Sequence, residues 1–311
     1  MPKIAIIGAG YAGLASAYYL LQKGCQITIF DSGGGASRVS TGLMYGYPGE
    51  HARKSEYADL GIKETIHLLN VASDHLGKAV YQKKGIFRPA MIDKQKESFQ
   101  KSLSLHPELI WWEKEKVQEM LPECIPIPGL YIENAYQVDS KLYTEGLLGY
   151  LQTRGVEYQK KQISSLDELS SFDSILVTGT LAFHNPGCGI TKGQALICKS
   201  NRNFPCNISG KGHMSFANGI CMLGSTYERD YQDDKPDLAK AISLKEQAAL
   251  FFPQAKDLEV MECVSAFRIA KRGSYLPLIK RISEKATLFT GLGSRGLLYH
   301  ALFASQLRLS S

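Results

Sequence analysis

Residues 3–31 read K-I-A-I-I-G-A-G-Y-A-G-L-A-S-A-Y-Y-L-L-Q-K-G-C-Q-I-T-I-F-D. The stretch opens with a short apolar run, Lys3–Ile7, which ends at a glycine, as is typical of a buried parallel strand. A helix-forming segment follows and stops at Gly24, and Gln26–Phe30 has the pattern of a second strand that leads directly into Asp31. The stretch therefore predicts a complete β–α–β unit in about 30 residues.

Three glycines lie at the turn between the first strand and the helix, with the spacing Gly8-x-Gly10-x-x-Gly13. Gly8 allows a tight turn, Gly10 lets a pyrophosphate approach the backbone, and Gly13 lets the helix pack closely on the strand. The helix N-terminus presents free N–H groups and a partial positive charge to the phosphates. The pattern predicts dinucleotide binding, and we place Ala12 in the same group of cofactor-binding residues.

Asp31 follows the second strand, 18 residues after Gly13. At the end of that strand its carboxylate is expected to accept hydrogen bonds from ribose hydroxyl groups. A carboxylate in this place disfavours a 2′-phosphate, which argues against NADP.

A second unit of strand, glycine turn and helix start lies at 286–300, A-T-L-F-T-G-L-G-S-R-G-L-L-Y-H. The helix N-terminus predicted at Ser294–Leu297 is suited to face the pyrimidine edge of a flavin, which is negatively charged when the ring is reduced. Because a simple NAD domain does not need this second N-terminus, the pattern favours FAD. The candidate residues here are Gly293, Ser294, Arg295, Gly296 and Leu297.

The composition is that of a globular protein. The chain has 311 residues, of which 44% are hydrophobic and 21% are charged, so disorder, collagen and coiled coil are excluded. The net charge of +6 permits a nucleic acid or an acidic small molecule as partner without indicating either. No apolar run reaches the roughly 20 residues of a membrane helix, so we expect no membrane partner.

The seven cysteines include no C-x-x-C pair, and the seven histidines include no H-x-x-x-H pair. We therefore expect neither a disulfide framework nor a metal site, but reduced thiols in a cytoplasmic protein.

Nucleotide-like units at both chain ends, with mixed α+β segments between them, predict an α/β protein with a discontinuous Rossmann-like cofactor domain. We assign 1–45, 130–182 and 265–311 to that domain. An inserted α+β substrate domain, built on an antiparallel sheet, is expected at 46–129 and 183–264. Helices are predicted from about Glu50 to Lys78, from an Asp139 cap to about Thr153, over Pro236–Phe252 and over Gly296–Leu309.

Several segments resemble the FAD-dependent amine oxidoreductases of the D-amino-acid-oxidase-like family, which includes glycine oxidase and sarcosine oxidase. The resemblance covers nearly the whole chain. Its segments are G-A-G-Y-A-G at 8–13, G-A-S-R-V-S-T-G-L at 35–43, G-I-F-R-P-A at 85–90, Q-V-D-S at 137–140, K-G-Q-A at 192–195, L-G-S-T-Y-E-R-D at 223–230, F-R-I-A at 267–270, L-P-L-I at 276–279 and G-L-G-S-R-G-L at 291–297.

Two of these segments, at 223–230 and 291–297, are most similar to one subgroup, the oxidoreductase domain of the bifunctional enzyme that builds 5-methylaminomethyl-2-thiouridine in tRNA. That domain removes a carboxymethyl group from the modified wobble uridine. Two positions depart from the family pattern, which often has Asp where Ser274 stands and Gly where Lys280 stands.

The resemblance assigns roles to individual residues. Arg268 matches the arginine that pairs with the substrate carboxylate, a task suited to a guanidinium fork. Ser37, Thr41 and Gly42 match the segment around the flavin phosphates and ring, and Gly179 matches the adenine side.

His213 lies near the position of a pocket tyrosine in relatives and is a candidate proton acceptor that titrates near neutral pH. No cysteine directly precedes Arg268, where some sarcosine oxidases attach flavin, so non-covalent FAD is expected.

The resemblance implies oxidation of a C–N bond beside a carboxylate, with hydride transfer from the substrate α-carbon to flavin N5. Three hypotheses follow. The first is oxidation of an N-carboxymethyl amine, including that of a modified tRNA. The second is a glycine- or D-amino-acid-type oxidase acting on free amino acids. The third is a catalytically weak FAD- or RNA-binding protein.

Overall fold

The structure is a computed structural model that describes residues 1–179 and 185–309. Its strands are β1 (Lys3–Ile7), β2 (Gln26–Phe30), β3 (Leu43–Tyr45), β4 (Tyr81–Lys83), β5 (Ile86–Pro89), β6 (Leu109–Trp112), β7 (Gly129–Ile132), β8 (Ala135–Val138), β9 (Glu157–Gln159), β10 (Ser174–Val177), β11 (Cys188–Lys199), β12 (Asn207–Ser209), β13 (His213–Ala217), β14 (Ile220–Gly224), β15 (Val260–Lys271), β16 (Leu278–Arg281) and β17 (Ala286–Thr290).

The α-helices are α1 (Tyr11–Gln22), α2 (Ala58–Leu76), α3 (Asp93–Leu105), α4 (Lys114–Met120), α5 (Ser140–Thr153), α6 (Leu238–Ala241), α7 (Ser243–Ala249) and α8 (Gly296–Ser305). Short 3₁₀ turns at Ala36–Arg38 and Gly293–Arg295 each lie beside the site described below.

The first sheet joins the two ends of the chain. Its order is β16-β17-β10-β1-β2-β9, and all neighbours pair in parallel except the antiparallel edge strand β16. Alternate residues of β1 enter different cores: Ile4 and Ile6 pack on one face, and Ala5 and Ile7 on the other. A strand buried on both faces is apolar throughout, which explains the unbroken run at the N-terminus.

Four helices cover one face of this sheet. Helices α1, α2, α5 and α8 pack on one another and contribute most of the largest hydrophobic core, which includes the fully buried Tyr143 and Tyr299. A Cβ on Gly296, the first residue of α8, would lie 3.3 Å from the ring of Tyr11, the first residue of α1, so the two predicted cofactor-facing helix starts lie side by side.

The second sheet has the order β15-β11-β14-β13-β12-β5-β7-β6 and is antiparallel except for the pair β12–β5. One of its faces packs on a core of aromatic and apolar residues that includes Phe87, Leu196 and Met214. The neighbouring residues in these strands, Arg88 and His213 among them, therefore point to the opposite face. A third, small sheet has the order β3-β8-β4.

The predicted mixed α/β class with an antiparallel sheet is confirmed. The Asp139 cap is also present, since its carboxylate accepts a hydrogen bond from the Leu142 N–H at 3.0 Å. The helix expected from Glu50 was placed too early. It begins at Ala58 because Tyr57 has a left-handed φ of 56°.

The helix expected over Pro236–Phe252 is two short helices, α6 and α7, and α8 ends at Ser305 rather than Leu309. The proposed domain boundaries remain a proposal. The strands β7 and β15, which cross the boundaries at 130 and 265, both belong to the second sheet, and the boundary at 182–183 lies outside the described residues.

All seven cysteines are free, and six of them are buried. Within the described ranges no helix combines the length and apolarity that crossing a bilayer requires. The same residues contain no group of three or more His, Cys, Asp or Glu side chains arranged to hold a metal ion.

Two interior helix glycines test how tightly the helices pack. A Cβ on Gly61 of α2 would overlap the backbone carbonyl of Leu298 in α8, whereas a Cβ on Gly149 of α5 would meet only the exposed imidazole of His75. We expect Gly61→Ala to lower the free energy of unfolding by about 1–3 kcal/mol, because backbone cannot move aside.

Gly149→Ala is the matched control, and we expect it to be neutral or to stabilise by up to about 1 kcal/mol through helix propensity. Urea denaturation of both variants measures the difference. Equal destabilisation by the two substitutions would contradict this account of the α2–α8 contact.

Candidate active site

The turn between β1 and α1 has the conformation that its glycines predict. Gly8 adopts a φ of 105°, and its N–H donates to the Phe30 carbonyl at 2.7 Å. A side chain on Gly13 would overlap the Gly8 carbonyl, so this glycine lets α1 lie directly on the strand end. A Cβ on Gly10 would lie 2.9 Å from Ser37 Oγ. The absence of side chains therefore keeps this turn open to a ligand.

Asp31 joins this turn to the following loop. Its Oδ2 accepts a hydrogen bond from the Ala9 N–H at 2.7 Å, and its Oδ1 accepts one from the Gly33 N–H at 2.8 Å. Arg38 lies 3.7 Å from Oδ1. Each carboxylate oxygen can accept a second bond, so the predicted ribose contact is compatible with this arrangement.

Ser37 and Thr41 lie on the segment between β2 and β3, which meets the start of α1. Ser37 Oγ accepts a hydrogen bond from the Tyr11 N–H at 3.1 Å, which satisfies one of the first N–H groups of α1. The Thr41 carbonyl accepts a hydrogen bond from Ser215 Oγ at 3.4 Å, which links the segment to β13.

The start of α8 lies at the end of β17. The 3₁₀ turn Gly293–Arg295 leads into the helix, and the Arg295 guanidinium stacks on the Tyr275 ring at 3.9 Å from its centroid. His300, fully buried, contacts the Gly296 carbonyl through Nδ1 at 2.9 Å and the Tyr143 hydroxyl through Nε2 at 2.7 Å. Burial lowers the pKa of His300 to about 4, so the ring is neutral at pH 7.

A cavity of about 770 Å³ lies where these segments meet the second sheet. This volume lies in the upper part of the range for cofactor and ligand sites. The predicted site residues that line it are Gly8, Gly10, Asp31, Ser37, Thr41, Gly179, His213, Arg268, Gly293, Ser294, Arg295, Gly296 and Leu297.

Ala12, Gly13 and Gly42 do not line the cavity. Gly13 serves helix packing, and Gly42, with a φ of 73°, lies against the Val138 backbone, where a side chain would overlap its carbonyl. The structure therefore places these three residues behind the cavity wall rather than at it.

The wall suits a dinucleotide cofactor. Two helix N-termini, those of α1 and α8, border one cavity, and the glycines of both turns expose backbone there. No cysteine lines the cavity among the residues that the structure describes, and non-covalent attachment stays a prediction.

Arg268 reaches the cavity from β15. Its Nη2 donates to Ser225 Oγ and to the Thr226 carbonyl, the latter at 3.2 Å. On the neighbouring strand, any side chain on Gly193 would overlap this guanidinium, so that glycine provides the space for it. Burial lowers the pKa of Arg268, yet a guanidinium remains protonated in proteins.

His213 lines the same cavity, and its Nδ1 is buried without a hydrogen-bond partner. Burial, followed by the positive charges of Arg88 and Arg268, lowers the pKa of His213 to about 4. The structure thus contradicts the expected titration near neutral pH. A base with this pKa accepts protons less readily than one whose pKa matches the working pH.

Four further polar residues of the cavity wall were not predicted from the sequence as site residues. Arg88, Tyr45 and Ser209 line the cavity, and so does Lys211. Arg88 lies inside the segment G-I-F-R-P-A at 85–90. An arginine within an apolar strand is unusual, and this feature could have indicated a functional residue.

Comparison with known proteins agrees with this geometry. The model of the family described as FAD dependent oxidoreductase matches residues 3–307. A search of curated protein sequences finds no match. The similar solved structures include glycine oxidase from Geobacillus kaustophilus, with a TM-score of 0.86 at 17% identity, covering 98% of this chain and 93% of that one.

Iminodiacetate oxidase from Chelativorans sp. BNC1 has a TM-score of 0.80 at 20% identity, with coverage of 98% and 93%. L-α-glycerophosphate oxidase from Mycoplasma pneumoniae, with FAD bound, has a TM-score of 0.76 at 16% identity, with coverage of 100% and 96%. At these identities the neighbours show the fold alone.

Fold and cavity are those of a flavin-dependent oxidoreductase. The chain belongs to the FAD dependent oxidoreductase family, and FAD is its cofactor.

We expect Asp31→Ala to raise the dissociation constant of FAD by about 10–100-fold, because the β1–α1 turn loses the acceptor of the Ala9 N–H. The measurement is flavin absorbance retained after dialysis, which is independent of turnover. Asp173→Ala is the matched control, because Asp173 likewise accepts a backbone N–H of β1, from Lys3 at 2.7 Å, outside the cavity. Equal FAD loss in both variants, or none in either, would exclude a cofactor role for Asp31.

The low pKa of His213 predicts the pH profile of the enzyme. Since the ring is already neutral above about pH 4, kcat/KM is expected to show no limb from His213 between pH 6 and 8. The profile of His213→Asn should have the same shape as that of the unaltered enzyme. A limb near pH 6.5 that disappears in the variant would contradict the neutral assignment.

Proposed function

We propose that this enzyme oxidises the C–N bond of a carboxylate-bearing amine. Arg268 carries the proposal. Its guanidinium lines the same cavity as the FAD-binding turns, and no described carboxylate forms an ion pair with it. A partly buried guanidinium without an acidic partner suits a ligand that brings its own carboxylate.

The neighbours support an amine as substrate. Two of them, by name, are oxidases of glycine and of iminodiacetate, which are both amines that carry a carboxylate. Those neighbours share the fold of this chain, and in this proposal Arg268 supplies the recognition that such substrates require.

In this proposal the residues of the chain bind and orient the substrate. Arg268 holds the carboxylate, and Ser225 and Thr226 hold Arg268. The α-carbon next to that carboxylate is thereby kept in one place, which lowers the entropic part of the barrier. Bound FAD supplies the acceptor for the hydride that leaves the α-carbon, so that the amine becomes an imine that water hydrolyses.

The site also keeps the substrate amine in its reactive form. A neutral His213 and nearby guanidinium groups favour the uncharged amine, because a second positive charge in a poorly solvated cavity is unfavourable.

The finer substrate identity is open to direct test. Free amino acids and an N-carboxymethyl group on a tRNA wobble uridine both contain the required carboxylate and amine. The tRNA substrate rests on the sequence resemblance, whereas a small amine also agrees with the neighbours.

Anaerobic reduction of the bound flavin distinguishes these substrates. The reduction is followed by the loss of flavin absorbance at about 450 nm. The panel comprises glycine, sarcosine, D-alanine, iminodiacetate, L-α-glycerophosphate and tRNA that carries the modified uridine. Bleaching by one of the amines supports the proposal, and bleaching by tRNA alone selects the wobble uridine. Bleaching by glycerophosphate alone, or by nothing in the panel, would overturn it.

We expect Arg268→Ala to lower kcat/KM for the best carboxylate substrate by about 100-fold, as for the loss of charge-assisted hydrogen bonds. Most of the effect should fall on KM, because Arg268 binds the carboxylate and does not react. Arg154→Ala is the matched control, since that exposed arginine lies at the end of α5 and outside the cavity. Unchanged kinetics in Arg268→Ala would remove this residue from the substrate site.

A further inference from the structure

A second group of hydrogen-bond donors lines the cavity away from Arg268. We call it the distal end and define it as Tyr45, Arg88, Ser209, Lys211 and His213. Strand pairing brings these residues together. Phe87 of β5 is paired with Ile208 of β12, so Arg88 and Ser209 are the next residues of a parallel pair, and Ser209 is in turn paired with His213.

Arg88 is the buried charge of the distal end. Its side chain is 4% exposed. Nη1 donates to the Tyr47 carbonyl at 2.5 Å, Nη2 donates to the Gly49 carbonyl, and Nε is buried without a partner. No ion pair within the described ranges includes Arg88. The guanidinium also lies over the Phe99 ring, 4.9 Å from its centroid. Carbonyl groups and a ring hold this buried cation, and no carboxylate of the described residues neutralises it.

The other members of the distal end supply donors for an acidic group. The Tyr45 and Ser209 hydroxyl groups lie 3.4 Å apart, so one can donate to the other while the second O–H turns to a ligand. Lys211 is exposed in the turn between β12 and β13, and His213 Nδ1 has no partner.

Acidic side chains are scarce in this wall. The carboxylates that line the cavity are Asp31, which holds the backbone of the β1–α1 turn, and Glu50, which is exposed. Neither forms an ion pair with Arg88 or Lys211 among the described residues. The distal end therefore offers positive charge and donors to a ligand, and no carboxylate among the described residues of the cavity wall neutralises that charge.

The two arginines lie on opposite sides of His213 in the sheet. Arg88 belongs to β5, two strands from β13, and Arg268 belongs to β15, three strands from β13 on the other side. Their backbones are thus five strand spacings apart, about 24 Å along a flat sheet, and both residues line the cavity. The positive charges of both groups, after burial, lower the pKa of His213.

We propose that the substrate carries a second carboxylate and that the distal end binds it, with Arg88 as the fixed charge and Tyr45, Ser209 and Lys211 as donors. The substrate class is then an amine with two carboxylates, such as an N-carboxymethyl amino acid. This inference rests on the proposed function, because it assumes that Arg268 holds the carboxylate beside the reacting carbon.

Binding of thioether acids tests the inference without turnover. In these probes sulfur replaces the amine nitrogen, so no C–N bond is available for oxidation. The pair is thiodiacetate, with two carboxylates, and (methylthio)acetate, with one, and 3-(carboxymethylthio)propionate extends the diacid by one carbon. Their dissociation constants for the FAD-loaded enzyme are read from the change in flavin absorbance.

We expect a diacid to bind at least about 10-fold more tightly than (methylthio)acetate, as for one further charge-assisted interaction. Arg88→Gln should reduce this preference to roughly 1–3-fold, and Lys211→Ala should reduce it several-fold. Arg268→Lys should weaken all three probes together. Arg154→Ala, outside the cavity, should leave every constant unchanged.

Lys211→Ala keeps the inference testable if Arg88→Gln fails to fold, because Lys211 is exposed. Equal affinity for the monoacid and both diacids in the unaltered enzyme would overturn the inference, and so would a preference that survives both substitutions.

Parallel flavin reduction by iminodiacetate and sarcosine separates the two proposals. Reduction by both amines with equal KM would support the proposed function and contradict the binding of a second carboxylate at the distal end. A preference for diacids in binding, without flavin reduction by any amine, would support the anion site at the distal end and contradict the proposed oxidation of an amine.

Discussion

The fold depends on one close approach between segments that lie far apart in the chain. The Thr178 hydroxyl, after β10, donates to the Ile7 carbonyl at 2.8 Å, and a Cβ on Gly8 would lie 2.9 Å from that hydroxyl oxygen and 3.0 Å from Gly179. Only a bare backbone at Gly8 lets β1 and β10 end side by side. This contact places the first glycine turn, Gly179 and the end of β17 at one edge of a parallel sheet, where such sheets bind ligands.

The second sheet completes the cavity with a different chemistry. The edge of the first sheet presents glycines and helix N-termini, which suit phosphates and a flavin. The second sheet presents two guanidinium groups that no described carboxylate neutralises, on either side of a neutral His213. One cavity therefore joins a region that suits a cofactor to a region whose positive charge suits an anion.

The backbone around the two guanidinium groups provides the space and the acceptors that they need. Gly193 leaves room for Arg268, and the loop carbonyls of Tyr47 and Gly49 receive Arg88. A network of hydrogen bonds supports the first arginine, since Thr226 Oγ1 accepts from the Gln194 N–H at 2.9 Å and donates to Glu228 at 2.6 Å. Such support holds a long side chain in one conformation and lowers the entropic cost of binding a substrate.

The sequence alone determined the β–α–β unit, the Asp139 cap and the glycine turns before α1 and α8, because each is a local pattern in which neighbouring residues set the backbone. Tertiary structure decided where α2 begins, the splitting of α6 from α7 and the low pKa of His213. It also decided that Gly42 lies behind the cavity wall and that Arg88 belongs to the wall. These features depend on burial and on contacts between residues distant in the chain, which no local pattern contains.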